Sequence, residues 1–339
     1  MGCGSGGDRQ RVSEIEGTLV STTDSGSSFP SNEWALILGG SSGFGLATSK
    51  RLARAGLNVL IVHRDRRGAM KDIQPHFDEI AAMGPGFHTW NADAISPDKR
   101  SATIEEIAQA IGPEGKIRVL LHSIAFGNLK LIAPEKTVPR TAGPNLANRL
   151  GVDPSKLTEI ADELFEGGED GVHPLTSAPD YPDSSYLDEE DFARTILAMG
   201  TSLLGWTQEL FSKGLFAPDT RIFGLTSEGN EVAWKGYAAV SAAKVSLEAL
   251  ARSIAVEFAP YGIRCNVIQA GVTLTPALRA IPGSDQLKAQ ARLRNPGGRL
   301  TTPEDVAGVI FLLSQDEASW INGEVIRVDG GEHISGATR

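Results

Sequence analysis

Tyr237 and Lys244 lie seven residues apart in a stretch whose apolar residues recur at three- and four-residue steps. Seven residues make about two helical turns, so the two side chains share one face, within roughly 20° of each other and about 10 Å apart along the axis. A lysine ammonium so placed can bind sugar hydroxyls, and its charge favours the tyrosinate form of a nearby phenol, which suits the pair to acid–base work. Far upstream, Gly39-Gly40-Ser41-Ser42-Gly43-Phe44-Gly45 follows an apolar β-type run and precedes a helical stretch at 46–55. Glycines at 39, 43 and 45 let the backbone turn sharply. The helix start then offers amide N–H groups and a positive dipole end to a pyrophosphate. Its place between a strand and a helix predicts a dinucleotide site.

Three further stretches fit such a ligand. The second β-type run ends in His63-Arg64-Asp65-Arg66-Arg67. Free ribose hydroxyls are met by a carboxylate and a 2′-phosphate by guanidinium, so the arginine cluster favours NADPH while Asp65 keeps NADH possible. Asp93-Ala94, ending the third run, can hold the adenine edge. Gly271-Val272-Thr273-Leu274-Thr275 follows the sixth run, and its backbone and the Thr275 hydroxyl suit a nicotinamide amide and phosphate. His122 reads as a packed strand residue and Cys265 as core. Six scattered histidines show no metal spacing, so no metal is expected.

These residues need a frame. Seven β-type runs, at 34–38, 58–63, 86–91, 117–123, 221–226, 263–269 and 324–328, alternate with helix-period stretches. That order predicts an α/β fold with a doubly wound parallel sheet of about seven strands, in a single Rossmann-type domain over 33–339. In the helix expected over 237–258, Val240, Ala243, Leu247, Leu250, Ile254 and Phe258 form one buried stripe. Another helix follows Thr302-Pro303, with Val306, Ile310 and Leu313 inward. Residues 1–32, rich in Gly, Ser, Thr and Asp, predict a disordered tail. Met1-Gly2-Cys3 opens like a myristoylation signal, but Gly6 stands where that signal wants Ser or Thr. About 65 residues separate the fourth strand, near Ser123, from the next helix, near Asp188. Such a length predicts an insertion, at about 134–187, with a short helix over 157–165 and turn formers over 174–186.

Composition sets outer bounds. The 339 residues, 41% of them hydrophobic, make one large or two ordinary domains. No run approaches the roughly 20 apolar residues of a membrane span, and no secretory signal opens the chain, so a soluble protein is expected. Two cysteines far apart, Cys3 and Cys265, fit the cytoplasm or another reducing compartment. The net charge of −10 is local: residues 153–191 hold thirteen acidic residues against one lysine, or −12, leaving 31 basic against 29 acidic elsewhere, or +2. Neither nucleic acid nor an anionic membrane is a favoured partner. Over 276–299 the sign reverses, with Arg279, Lys288, Arg292, Arg294 and Arg299 facing Asp285 for a local +4.

Outside the insertion, residues 34–332 resemble the short-chain dehydrogenase/reductases. The resemblance rests on the glycine turn, Tyr237 with Lys244, and the series Gly298-Arg299, Pro303-Glu304-Asp305-Val306-Ala307, Gly323 and Val328-Asp329-Gly330-Gly331. In common carbonyl-reducing members tyrosine precedes lysine by four residues, a position held here by Val240. The spacing of seven, and His122-Ser123-Ile124-Ala125-Phe126-Gly127, are similar to the enoyl-[acyl-carrier-protein] reductases. The chain departs from their main bacterial type at Ser227, where a second tyrosine is usual, and its compact glycine turn resembles the NADPH-using variant. The usual catalytic serine, thirteen residues before the tyrosine, is replaced by Gly224, and the helix asparagine of the proton relay is missing around Met199-Gly200.

The resemblance implies a catalytic Tyr237 and Lys244. It implies a cofactor, NADPH with NADH possible, held by Gly39, Ser41, Ser42, Gly43, Phe44, Gly45, Arg64, Asp93, Ala94, Ser123, Ile124, Ala125, Lys244, Val272, Thr273 and Thr275. It also implies a homotetramer and reduction of a 2-enoyl thioester, on acyl carrier protein or coenzyme A, in fatty-acid or polyketide synthesis. The alternatives are a 3-oxoacyl or other carbonyl reductase, and a catalytically lapsed cofactor-binding regulator. Chemistry favours the longer spacing for an enoyl substrate. Hydride goes to C3 while charge collects on the thioester oxygen at C1, and a tyrosine three residues earlier is anchored about 4.5 Å further along the helix. In this family the segment matching 276–299 covers the acyl pocket, so its basic patch is expected to dock a carrier or the phosphates of coenzyme A. The insertion is expected over the substrate entrance or at an oligomer contact.

Overall fold

Strand β1 (Glu33–Leu38) sends Ala35 and Ile37 to one face and Trp34, Leu36 and Leu38 to the other, and all five are buried. Strand β2 (Asn58–His63) divides Val59 and Ile61 from Leu60 and Val62 in the same way. Strands apolar on both faces need cover on both, which a parallel sheet with helical crossovers provides. The computed structural model, describing residues 29–136, 141–177, 179, 181 and 186–336, has that architecture.

After β1 come α1 (Gly43–Arg54), β2, α2 (Met70–Ala81), β3 (Phe87–Asn91), α3 (Pro97–Ile111) and β4 (Lys116–His122). A long connection holds α4 (Ala142–Leu150), α5 (Pro154–Glu166) and α6 (His173–Thr176). It leads to α7 (Glu189–Ile196), a π-helical turn Leu197–Thr201, and α8 (Ser202–Ser212). The chain closes with β5 (Phe216–Ser227), α9 (Ala238–Glu257), β6 (Ile263–Ala270), α10 (Pro276–Arg279), α11 (Ser284–Arg294), α12 (Pro303–Leu313) and β7 (Val325–Val328). All seven strands are parallel, in the order β3-β2-β1-β4-β5-β6-β7. Leu52, Phe77 and Ile310 bring α1, α2 and α12 onto one face, while Ile104, Trp206 and Leu247 bring α3, α8 and α9 onto the other. The order reverses between β1 and β4, which opens a crevice at the carboxyl ends of these strands.

Local chemistry sets the helix ends. Thr302 and Asp305 form a reciprocal capping box at α12, with Pro303 at its first position. Helix α9 starts at Ala238, so Tyr237 caps the helix rather than opening it. Helix α5 covers the expected helix at 157–165, but α4 was hidden by its own composition. Its sequence Ala-Gly-Pro-Asn-Leu-Ala-Asn-Arg-Leu is rich in weak helix formers, and packing of Gly143 and Ala147 compensates. The stretch read as turn formers includes all of α6 but its first residue, and residues 178, 180 and 182–185 of it lie outside the described residues. Of the expected tail, residues 1–28 also lie outside them. Phe29, the first described residue, is buried edge-on against Phe311 with ring centroids 6.4 Å apart. Among the described residues no helix is long and apolar enough to cross a membrane.

Candidate active site

A cavity of about 540 Å³ lies in the crevice. Its first wall is the glycine turn. Gly39 has φ +87° and a Cβ there would sit 2.6 Å from the Ser123 carbonyl oxygen, so neither conformation nor space admits a side chain. Gly43 and Ser41, Ser42 and Phe44 line the cavity. Ser42 stands at the N-cap of α1 without using its side chain to cap it, and the first turn carries no acidic residue. The hydroxyl and the positive helix end are therefore available to a pyrophosphate. Gly45 does not line the cavity as expected: a Cβ there would meet the Gly39 carbonyl oxygen at 2.2 Å, so it allows α1 to start against the turn.

Arg64, Asp93 and Ala94 line one end. Arg64 Nη1 lies 3.2 Å from Asp93 Oδ2, and its guanidinium covers the Phe126 ring at 4.5 Å. Arg66 and Arg67 do not line the cavity, so the expected cluster of three reduces to one facing arginine. Asp65, the carboxylate suited to NADH, is held by His63 Nδ1 at 2.8 Å and is also outside the lining. Ser123, Ile124 and Ala125 after β4, and Val272, Thr273 and Thr275 after β6, complete the expected set.

Tyr237 and Lys244 both line the cavity, each 7% exposed. The phenol oxygen lies 3.1 Å from Ser227 Oγ, and its ring stands edge-on to Trp234 at 5.2 Å. Burial pushes the phenol pKa up from 10.0, opposed by the Ser227 hydrogen bond. Acidification by Lys244, expected from their shared face, is not among the influences on the phenol in this arrangement. The phenol is therefore neutral around neutral pH. Lys244 Nζ donates to the Leu225 carbonyl at 2.8 Å; burial lowers its pKa to about 8, and the Glu248 carboxylate acts the other way. His122 bonds Ser202 Oγ through Nε2 at 2.8 Å, and burial, helped by the Lys244 charge, holds its pKa at about 3. It is neutral, as a packed strand residue should be. Cys265 is buried core, and burial pushes its thiol pKa up.

Comparison with known proteins agrees with this geometry. Residues 33–136 match the family model described as short chain dehydrogenase, and residues 170–333 the one described as Enoyl-(Acyl carrier protein) reductase. A probable 2,4-dienoyl-CoA reductase of Bacillus subtilis is 41% identical over 313 residues, covering 88% of this chain and 96% of that protein. The chain belongs to the short-chain dehydrogenase/reductase family. An NADH-dependent enoyl-[acyl-carrier-protein] reductase of Enterococcus faecalis is 36% identical over 134 residues, 40% of this chain and 53% of that one. The fold is that of the Bacillus cereus enoyl-acyl carrier protein reductase solved with NADP+ and indole naphthyridinone, at a TM-score of 0.66 and 21% identity over 90% of this chain and 97% of that chain. This protein is thus a short-chain oxidoreductase whose cavity fits a nicotinamide dinucleotide.

Two departures of this short-chain oxidoreductase from its family's pattern have structural reasons. Gly224 faces α9, where a Cβ would lie 3.0 Å from Leu247, so a hydroxyl there would not meet the tyrosine. Ser227, which the sequence reading treats only as the place of a missing tyrosine, supplies the hydroxyl instead. The asparagine is excluded because the π-helical turn presses Gly200 against α9, where a Cβ would come 2.7 Å from the Ala243 carbonyl oxygen.

Four of the five basic residues of 276–299 are held in ion pairs, which bears on the expected carrier-docking surface. Lys288 pairs with Asp285 at 2.5 Å, Arg294 with Glu228 at 2.6 Å and Glu332 at 3.1 Å, and Arg299 with Asp305 at 2.6 Å. Arg292 pairs at 2.5 Å with the buried Asp170 of the long connection. Lys288 and Arg292 also lie over the Phe165 ring, at 5.3 and 5.0 Å, and Phe165 stacks on His173 at 4.3 Å. Of these pairs, Arg292 with Asp170 is the one that joins α11 to the acidic connection. Since Ala277, Leu278, Ala280 and Ile281 just before α11 line the cavity, the connection sits beside the cavity's apolar end.

Proposed function

We propose that this oxidoreductase uses NADPH to saturate the carbon–carbon double bond of a 2-enoyl thioester. The observation that carries the reading is a buried, protonated Tyr237 capping α9, seven residues before Lys244. Bound NADPH would supply the hydride. The glycine turn with Ser41 and Ser42 would hold its pyrophosphate, Asp93 and Ala94 the adenine, and Arg64 the 2′-phosphate. Lys244 gives one of its three N–H donors to Leu225 and keeps two for ribose hydroxyls. Thr275 Oγ1 accepts from the Leu278 amide, leaving its O–H to donate. Tyr237 donates to the thioester oxygen as negative charge collects there, which is oxyanion stabilisation followed by proton transfer, and Ser227 orients the phenol.

The named relatives support a conjugated thioester, since a 2,4-dienoyl-CoA and an enoyl-carrier substrate both join a double bond to a thioester carbonyl. Coenzyme A, with its phosphates, and an acidic carrier protein are both anionic, so the net charge of −10 bears on both alike. The second reading, 3-oxoacyl reduction, is favoured by one observation: Ser227 beside Tyr237 provides a hydroxyl pair of the kind that polarises a ketone. Cofactor oxidation with crotonyl, 2,4-dienoyl and acetoacetyl thioesters, each on coenzyme A and on a carrier, separates these readings. Enoyl turnover should exceed oxoacyl turnover by about tenfold or more, a barrier difference of about 1.4 kcal/mol. Equal or faster oxoacyl turnover overturns the assignment.

The cofactor preference has its own test. A charge-assisted contact is worth about 1.5–3 kcal/mol, so Arg64→Ala should reduce the ratio of NADPH to NADH affinity by roughly ten- to a hundredfold in fluorescence titrations. Unmutated protein that binds NADH more tightly would refute the NADPH reading.

A further inference from the structure

Strand β5 ends in three residues that face the catalytic pair and its support in turn. The Leu225 carbonyl receives Lys244 Nζ at 2.8 Å, and Ser227 Oγ meets the Tyr237 hydroxyl at 3.1 Å. Thr226 lies between them, and strand alternation turns its side chain the other way. There its Oγ1 donates to Glu248 Oε1 at 2.5 Å, and the same carboxylate oxygen accepts Asn230 Nδ2 at 2.5 Å. One carboxylate therefore spans residues 226 and 230 and fixes the short turn Glu228–Asn230 that follows Ser227. Glu248 also stands one helical turn beyond Lys244 on α9, on the same face.

We propose that Glu248 is a positioning residue that holds the end of β5, so that Leu225 and Ser227 present their oxygens to Lys244 and Tyr237, and that its charge keeps Lys244 an ammonium. The inference rests on the reading of Tyr237 and Lys244 as the catalytic pair. Three observations support it. Thr226 is buried, so its hydroxyl has no ready exchange with water if the carboxylate is removed. Lys244 loses its ordinary basicity to burial, and Glu248 is the group that opposes this. The other titratable groups facing Lys244 offer no negative charge near neutral pH: His122 on β4 is neutral, and Tyr237 before α9 is protonated.

The two roles separate by mutation. Glu248→Gln keeps an acceptor for Thr226 but removes the charge, Thr226→Val removes the tether but keeps the charge, and Glu248→Ala removes both. With saturating NADPH and an enoyl thioester, Thr226→Val and Glu248→Ala should lower kcat by about tenfold or more through misplacement of the pair, and Thr226→Ser should restore it. NADPH binding, read by fluorescence without any acyl substrate, should weaken as pH rises through about 8 in the native protein. This midpoint should move to lower pH in Glu248→Gln and Glu248→Ala and stay in place in Thr226→Val. Native kcat in both Thr226→Val and Glu248→Ala would overturn the positioning role, as would loss of kcat in Thr226→Ser equal to that in Thr226→Val. An unmoved binding midpoint in Glu248→Gln would overturn the electrostatic role. If native protein turns over no enoyl thioester, the functional reading fails, while the binding measurement still decides the role of Glu248.

Discussion

Tyr237→Phe should lower kcat for enoyl thioester reduction by about 10²–10⁴-fold, the range of a lost general acid, while NADPH affinity changes by less than about twofold. The separation follows from where the phenol oxygen points. Its partner is Ser227, and the groups placed to grip the cofactor, from the glycine turn to Thr275, do not depend on it. The pH dependence has a definite sign. Burial raises the phenol pKa, so the donor stays protonated throughout the neutral range and is lost only well into alkali. Lys244 deprotonates first, through about 8, so the alkaline decline of the native enzyme should enter through NADPH affinity before it enters kcat. Stopped-flow and binding titrations across pH 6–10 would show the order. A Tyr237→Phe enzyme with native kcat would remove the tyrosine from the chemistry.

A second large effect is expected from a single methyl group. In Gly45→Ala the new Cβ would lie 2.2 Å from the Gly39 carbonyl oxygen and 3.0 Å from Gly40 Cα, both backbone atoms that no rotamer change can move aside. Either α1 retreats or the turn opens. Overpacking of this kind costs about 1–3 kcal/mol or more in stability, and NADPH affinity should fall at least about a hundredfold because the turn would no longer close on a pyrophosphate. Gly68→Ala is the control, since nothing lies within 4 Å of a Cβ there and its φ is not in the left-handed range. Calorimetry and NADPH titration of both variants decide the matter: a Gly45→Ala protein that binds NADPH like the native one would show that the turn has slack.

The sheet was legible because each strand carries its evidence in two or three consecutive residues. Leu36 and Ile37 are apolar regardless of what packs on them, and a run such as Val59 to Val62 has few other uses. The glycine turn and the Tyr237–Lys244 pair were legible because each is set by local spacing. What escaped depends on the path of the chain between elements. Ser227 became visible as the phenol's partner only when the turn after β5 was placed, since a hydroxyl thirteen residues upstream, at Gly224, would have faced Leu247. The charges of 276–299 were counted correctly, but a count cannot show that Arg292 meets Asp170 across 121 intervening positions. Arg66 and Arg67 likewise share composition with Arg64 but not its direction. Gly45 was assigned to the ligand on the strength of a motif, although its nearest neighbour is the protein's own backbone.

The pairing of Arg292 with Asp170, with Phe165 held beneath Lys288 and Arg292, limits how this enzyme can be re-engineered. Transplanting α11 and its preceding segment from a relative that lacks the arginine, to change substrate preference, would leave the Asp170 carboxylate buried without that counter-ion, a defect that costs about 3–5 kcal/mol. Residues 123–188 and 276–299 are therefore one unit of exchange, although some ninety residues of chain lie between them. Libraries that recombine this scaffold should place their crossovers outside both.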